Sequence, residues 1–84
     1  MSKIYIIDVR EKDEYDTGHM DNAINIPVNL IFTHDSKTLD FLNTINKTED
    51  TIKVYCASGG RAELAKTILL KIGFNNVINL GGFC

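Results

Sequence analysis

The sequence predicts an α/β fold, a small parallel sheet of four to five strands flanked by helices. Short apolar segments alternate with segments of helical spacing, which indicates right-handed crossovers between parallel strands. The first apolar segment is continuous rather than alternating, as in a strand buried on both faces. The 84 residues suffice for one domain, which we place over residues 1–84. The predicted strands are residues 3–9, 23–26, 51–56 and 76–80, and the predicted helices are residues 11–17, 38–46 and 61–72.

Turn and cap residues set the limits of the elements in the first half of the chain. The first predicted strand is rich in β-branched and aromatic residues, and the acidic helix after it ends at Gly18. The second strand is short and ends at Pro27, the one proline of the chain. In the second helix three apolar residues lie three positions apart, so we expect an amphipathic helix with Asp35 or Ser36 near its cap.

The second half of the chain repeats the alternation of strand and helix. The third predicted strand ends at Cys56, and the helix after it has apolar residues on one face and lysines on the other. Gly73 ends this helix. A last strand follows, and we expect Gly81 and Gly82 to turn the chain after it.

Composition and charge exclude several classes of protein. The net charge is −2 and the basic residues are scattered, which argues against nucleic acid or a membrane surface as a partner. The longest apolar runs are far shorter than the roughly 20 residues of a membrane span and too short for a signal-peptide core. We therefore expect a cytoplasmic protein, or a periplasmic one if a leader has been removed.

The two cysteines, Cys56 and Cys84, are too few for a disulfide scaffold. His19 and His34 have no ligand-like spacing to each other or to a cysteine, so we predict neither a metal site nor a cofactor. We expect His19 to fix a loop by hydrogen bonding and His34 to be exposed. Cys84 has two possible interpretations: it is an exposed terminal thiol, or it is a resolving thiol that reduces a persulfide on Cys56.

The segment between the third strand and the last helix is suited to hold an anion. Cys56 ends a predicted strand, where an α/β sheet binds its ligands. The glycines that follow can turn their backbone N–H groups inward to form a nest, and the helix dipole adds positive charge. Together with Arg61 these groups favour the thiolate of Cys56. The alternative from the residues alone is a buried structural thiol.

Four motifs in order along the chain resemble the rhodanese family. The segment from Cys56 to Arg61 reads Cys-x-x-Gly-x-Arg, which is similar to the active-site loop of that family. Residues 8–10 read Asp-Val-Arg and are followed by Glu14 and Tyr15. Residues 18–27 resemble the Gly-His element that ends in Asn-Ile-Pro, and residues 73–82 resemble the closing strand and turn. The small phage-shock-type rhodaneses are the most similar members.

The resemblance implies a sulfurtransferase that moves sulfane sulfur through a persulfide on Cys56. A small-molecule donor such as thiosulfate supplies the sulfur, and a thiol, cyanide or a sulfur-accepting protein removes it. Cys56 and Arg61 receive the catalytic roles, with the Arg61 side chain binding the donor or closing the loop. The remaining loop residues are implied to bind the transferred sulfur through their backbone N–H groups: Ala57, Ser58, Gly59 and Gly60.

Two alternatives differ from this reading. Phosphatases of similar fold have one residue more in the loop, so the six-residue span from Cys56 to Arg61 favours sulfur over phosphate. A non-catalytic rhodanese-like module, the second alternative, would bind a partner or relay sulfur.

Ala57 departs from the family pattern, in which a basic residue often follows the cysteine. Because Ala57 is uncharged, it favours a neutral or thiol-bound persulfide as the donor. Asp8 and Arg10 are expected to form a structural ion pair or a helix cap rather than to act on the substrate.

Overall fold

A four-stranded parallel sheet forms the centre of the structure, a computed structural model that describes residues 2–83. Its strands lie in the order β2-β1-β3-β4. This arrangement confirms the predicted fold class. The elements are β1 (Ile4–Asp8), α1 (Lys12–Asp16), β2 (Ala23–Asn25), α2 (Val28–Phe32), α3 (Ser36–Leu42), β3 (Thr51–Cys56), α4 (Gly60–Ile72) and β4 (Val77–Gly82).

The core lies between one face of the sheet and helices α2, α3 and α4. Strands β1 and β3 are central, so their apolar side chains are covered by neighbouring strands as well as by helices. Ile7, Ile52 and Val54 are completely buried, as are Ala65 and Leu69 on the inner face of α4. Within residues 2–83, no helix has the length and apolar character needed to cross a lipid bilayer.

Two helices differ from the sequence prediction. Helix α2 was not predicted, and it begins directly after Pro27, whose fixed φ suits the start of a helix. Helix α3 begins at Ser36, two residues earlier than predicted, and its cap is Asp35 as expected, since the Asp35 carboxylate accepts a hydrogen bond from the Thr38 N–H at 3.1 Å. It ends at Leu42 rather than residue 46, because the Asn46 side chain accepts N–H groups from the turn that follows.

The Gly81-Gly82 pair does not turn the chain as predicted but continues strand β4. The register shifts between Val54 and Cys56, so that Gly82 pairs with Cys56. Asn79 fixes this irregularity, since its side-chain oxygen accepts the Gly81 N–H at 2.8 Å. Residues without side chains fit a bulge of this kind, which the sequence pattern alone does not distinguish from a turn.

The strand order places the end of β1 beside the end of β3. From β1 the chain passes to β2 on one side, and from β3 it passes to β4 on the other. The crevice at such a switch point is where open parallel sheets bind ligands. The loop after Cys56 therefore lies next to the segment that follows Asp8, and the Val9 N–H donates to the Tyr55 carbonyl at 3.0 Å.

A buried ion pair closes this end of the sheet, as expected for Asp8 and Arg10. The Arg10 Nη2 lies 2.7 Å from the Asp8 Oδ2, and the Asp8 side chain is completely buried. Tyr55 donates its hydroxyl hydrogen to the same carboxylate at 2.8 Å and accepts the Met20 N–H at 3.0 Å. Arg10 also donates to the Gly18 carbonyl. The pair thus joins β1, β3 and the connection from α1 to β2.

Replacing Asp8 by Ala should destabilise the fold by about 3–5 kcal/mol, because it leaves the buried Arg10 guanidinium without its counter-charge. Urea denaturation measures the loss. The matched control is Lys12→Ala, which removes the exposed ion pair to Asp16 and should change the stability by about 0.5 kcal/mol or less. Equal losses in the two variants would contradict a special role for the buried pair.

Candidate active site

The sulfur of Cys56 lies in a cradle of backbone N–H groups. Its Sγ accepts the Gly59 N–H at 2.9 Å and the Ala62 N–H at 3.4 Å. Cys56 is completely buried, whereas Ala57, Ser58 and Gly60 are exposed. The cradle therefore holds one sulfur atom under a thin cover of loop residues, and the reactants must approach from the side of that cover.

The cradle depends on the backbone angles of the loop. Gly59 has φ +97°, in the left-handed region, and is the residue from which helix α4 begins. A side chain at this angle would strain the backbone, which explains a glycine here. The first turn of α4 then points its free N–H groups toward the sulfur.

These N–H groups change the acidity of the thiol. Burial of Cys56 raises its pKa, but hydrogen bonds from the backbone of Ala62, Ser58, Gly59 and Arg61 lower it by more. The pKa of Cys56 therefore lies below the ordinary value of 9.0. A larger share of the residue is thiolate at neutral pH than in free cysteine, and the thiolate is the nucleophilic form.

The end of strand β4 packs directly against the backbone of the loop that follows Cys56. A Cβ added to Gly82 would overlap the carbonyl oxygen of Ala57. The Phe83 N–H donates to the Cys56 carbonyl at 2.8 Å. The close approach of the two backbones thus requires glycine at position 82, which the sequence pattern did not reveal.

Asn79 is a second support that the sequence analysis missed. Its side-chain nitrogen donates to the Gly59 carbonyl at 3.3 Å and to the Glu63 carboxylate at 3.0 Å. Because its oxygen accepts the Gly81 N–H, one amide joins the loop, helix α4 and the bulge of β4. Its position three residues before Gly82, in the segment that resembles the closing strand, is the one signal that the sequence carries.

The structure places the Arg61 side chain against helix α1. Its Nη1 lies 2.7 Å from Glu14 Oε1 and its Nη2 lies 3.0 Å from Glu14 Oε2. Hydrogen bonding from Arg61 lowers the pKa of Glu14 from 4.5 to about 2, so the carboxylate is charged at neutral pH. The guanidinium therefore clamps the loop to α1. Glu14 was noted in the sequence only as part of a family motif.

The other candidates from the sequence lie outside the cradle. The His19 Nδ1 is 2.8 Å from the Tyr15 carbonyl, and its ring stacks on the Tyr15 ring, which confirms a role in fixing a loop. His34 is exposed, as expected. Cys84 lies outside the described residues. Among residues 2–83, no three His, Cys, Asp or Glu side chains come together as metal ligands.

Comparison with known proteins identifies the chain's relatives. The sequence profile of the rhodanese-like domain matches residues 1–83. The thiosulfate sulfurtransferase PspE of Escherichia coli is 37% identical over 76 residues, which cover 90% of this chain and 67% of PspE. A mitochondrial protein of Schizosaccharomyces pombe is 38% identical over 84 residues, covering 92% of this chain and 58% of that protein. The chain thus spans about three-fifths to two-thirds of these relatives.

A solved structure has the same fold. A rhodanese from E. coli, determined with anions, superposes with a TM-score of 0.76 at 35% sequence identity. The match covers 94% of this chain and 86% of that structure. It extends the likeness from sequence motifs to the arrangement of strands and helices.

Replacing Gly82 by Ala should displace the loop, because the new methyl group overlaps the Ala57 carbonyl. We expect a loss of about 1–3 kcal/mol in stability, as for overpacking elsewhere. Gly60→Ala is the matched control, since a Cβ there meets nothing within 4 Å and its φ is not in the left-handed region. It should leave stability unchanged or raise it by up to about 1 kcal/mol. Thermal or urea unfolding compares the two variants, and similar behaviour would exclude the proposed contact.

The reactivity of Cys56 should titrate at lower pH than that of free cysteine, because the backbone N–H groups stabilise the thiolate. The rate of alkylation by iodoacetamide, measured against pH in a Cys84→Ser background, reports the midpoint. The same chain in urea provides the control, since unfolding removes the cradle and should return the midpoint to that of free cysteine. Equal midpoints in the folded and unfolded chain would contradict this account of the cradle.

Proposed function

Because this chain belongs to the rhodanese-like domain family, we propose that it is a sulfurtransferase that carries sulfane sulfur on Cys56. The observation that supports this most directly is the Cys56 sulfur itself, 2.9 Å from the Gly59 N–H and 3.4 Å from the Ala62 N–H. This environment lowers the pKa of the thiol. It supplies a nucleophile in its reactive form without a separate general base.

In the first step the Cys56 thiolate attacks the outer sulfur of a donor. With thiosulfate as the donor, a new S–S bond forms to Cys56, the S–S bond of thiosulfate breaks, and sulfite leaves with the bonding electron pair. The product is a terminal persulfide anion on Cys56. All charges and atoms are retained, and no metal or redox cofactor takes part.

The loop backbone assists this step by binding negative charge where it develops. The nucleophile starts as an anion on Sγ and the product is an anion one sulfur further out. The N–H groups of Gly59 and Ala62 already point at Sγ, and the backbone that carries them belongs to the start of helix α4. Preorganised donors of this kind need no reorientation during the reaction, which is the main electrostatic advantage of an enzyme site.

In the second step an acceptor removes the outer sulfur. A thiolate or cyanide attacks the terminal sulfur, the S–S bond of the persulfide breaks, and the Cys56 thiolate returns to its cradle. Because Cys56 is completely buried while its persulfide extends outward by one atom, the sulfur comes closer to the loop surface in the loaded form. We propose a thiol, free or on a protein, as the acceptor in this step.

Mass spectrometry of the intact protein tests the proposal. After incubation with thiosulfate or a thiol persulfide, the mass should rise by one sulfur atom, and the added sulfur should disappear on treatment with cyanide. Cys56→Ser should abolish the adduct completely, because Sγ is the proposed carrier. Cys84→Ser is the matched control and should retain it.

The result that would overturn the proposal is the absence of an adduct with every donor in a protein that is folded. An adduct that survives in Cys56→Ser and is lost in Cys84→Ser would identify Cys84 as the sulfur carrier and contradict the proposed role of Cys56. Formation of the adduct without its removal by any acceptor would leave a sulfur-binding module and not a transferase.

A further inference from the structure

The shorter of the two hydrogen bonds to the Cys56 sulfur comes from a glycine. The Gly59 N–H lies 2.9 Å from Sγ, against 3.4 Å for the Ala62 N–H. Gly59 is followed by Gly60, and glycine loses more conformational freedom on folding than any other residue. A pair of glycines does not by itself hold an N–H group in one direction. Other groups must therefore fix the Gly59 backbone in place.

The donor and the acceptor of this bond belong to different elements. Sγ is carried by strand β3, which ends at Cys56, whereas Gly59 is the residue from which helix α4 begins. Ala57 and Ser58, which connect them, are exposed. The Glu63 N–H donates to the Gly59 carbonyl at 2.9 Å, but this bond ties Gly59 to its own helix and not to the sheet. The alignment of the Gly59 N–H with Sγ therefore depends on a contact between the start of α4 and the sheet.

The Asn79 side chain supplies such a contact from strand β4. Its Nδ2 donates to the Gly59 carbonyl at 3.3 Å and to the Glu63 carboxylate at 3.0 Å. Its Oδ1 accepts the Gly81 N–H at 2.8 Å. One amide thus joins the sheet to the cap residue and to the first turn of α4.

The bond from Asn79 to Gly81 supports Gly59 a second time. A Cβ built on Gly59 would lie 3.7 Å from the Gly81 Cα, so the Gly81 backbone closes the space beside Gly59. Gly81 itself has φ +88°, in the left-handed region, and lies in the irregular end of β4. Asn79 therefore holds Gly59 through its carbonyl and also through the backbone beside it.

We propose that Asn79 is a positioning residue of the Cys56 site, which holds the start of helix α4 against the sheet so that the Gly59 N–H stays aligned with the sulfur anion. It acts through the Gly59 backbone rather than on the sulfur itself. The inference rests on the proposed function, in which the anion is first the Cys56 thiolate and then its persulfide. A donor fixed in this way stabilises the anion without reorientation during the reaction.

The pH dependence of Cys56 alkylation tests this role in Asn79→Ala. The variant and its reference both carry Cys84→Ser, so that iodoacetamide reports on Cys56 alone. The midpoint should rise by about half to one pH unit, because a hydrogen bond to the charged sulfur is weakened. Sulfur addition from thiosulfate, measured in a single turnover about one pH unit below the reference midpoint, should slow roughly two- to fourfold. The smaller thiolate fraction is partly offset by the greater nucleophilicity of a more basic thiolate.

Asn76→Ala is the matched control. The Asn76 Nδ2 also donates to two carbonyls, those of Thr48 and Asp50, at 3.1 and 3.4 Å. Asn76 precedes β4, however, at the end of the sheet opposite to Cys56. This variant should lose a similar amount of stability in urea and leave the Cys56 midpoint unchanged. An equal rise of the midpoint in both variants would indicate general loosening of the fold and overturn the proposal.

A double variant removes only one of the Asn79 contacts. In Asn79→Asp/Glu63→Gln the amide and the carboxylate change places, so the net charge, the bond between positions 79 and 63 and an oxygen for the Gly81 N–H are retained. The donor to the Gly59 carbonyl is lost, and the midpoint should rise as in Asn79→Ala. An unchanged midpoint in the folded double variant would overturn the proposal even if Asn79→Ala does not fold. The absence of sulfur on Cys56 in the reference protein would instead overturn the proposed function and leave the alkylation result standing.

Discussion

The buried carboxylate of Asp8 ties together the edge of the sheet on which the site is built. It receives the Arg10 guanidinium and the Tyr55 hydroxyl, and those groups in turn hold the Gly18 carbonyl and the Met20 N–H. Burial raises the pKa of Asp8, but hydrogen bonds from Arg10 and Tyr55 lower it by more, so the carboxylate remains charged. A buried charge of this kind is tolerated only when fully paired, which fixes the relative positions of the groups around it.

That rigidity matters for Cys56, the residue directly after Tyr55. The Tyr55 side chain is locked on one face of the sheet, and the Cys56 side chain therefore points to the other face, under the start of α4. The Arg10 guanidinium also lies over the rings of Tyr55 and Phe83, at 5.7 and 5.1 Å from their centroids. The Phe83 backbone binds the Cys56 carbonyl. The ion pair thus sets the frame in which the loop backbone can approach the sulfur closely.

The site separates two kinds of electrostatic interaction. Backbone dipoles hold the charge on the sulfur, and they act over a short range in a place that water does not reach. The two arginine side chains near this cradle are each paired with a carboxylate, Arg10 with Asp8 and Arg61 with Glu14, so these charges stabilise the position of the loop. A small domain can in this way stabilise a thiolate with few residues, since the helix that closes the core also supplies the N–H groups.

The order of strands and helices, the position of Cys56 at a strand end and the glycines before α4 could all be predicted from the sequence. These features depend on local propensities and on apolar patterns, which neighbouring residues determine.

Helix α2 and the shorter α3 could not be predicted, because single turns and side-chain caps in short segments have weak signals. The partner of Arg61 could not be predicted either, since Glu14 is 47 positions away and only the packing of α1 beside the loop brings the two together. The same holds for Gly82 and Asn79, whose roles come from the bulge of β4 beneath the loop. The sequence by itself determined the fold class and the place of Cys56, the residue that we propose as the nucleophile, at the end of a strand. The tertiary structure alone decided which charges surround that residue, because ion pairs between distant segments form only when the strands have been placed in order.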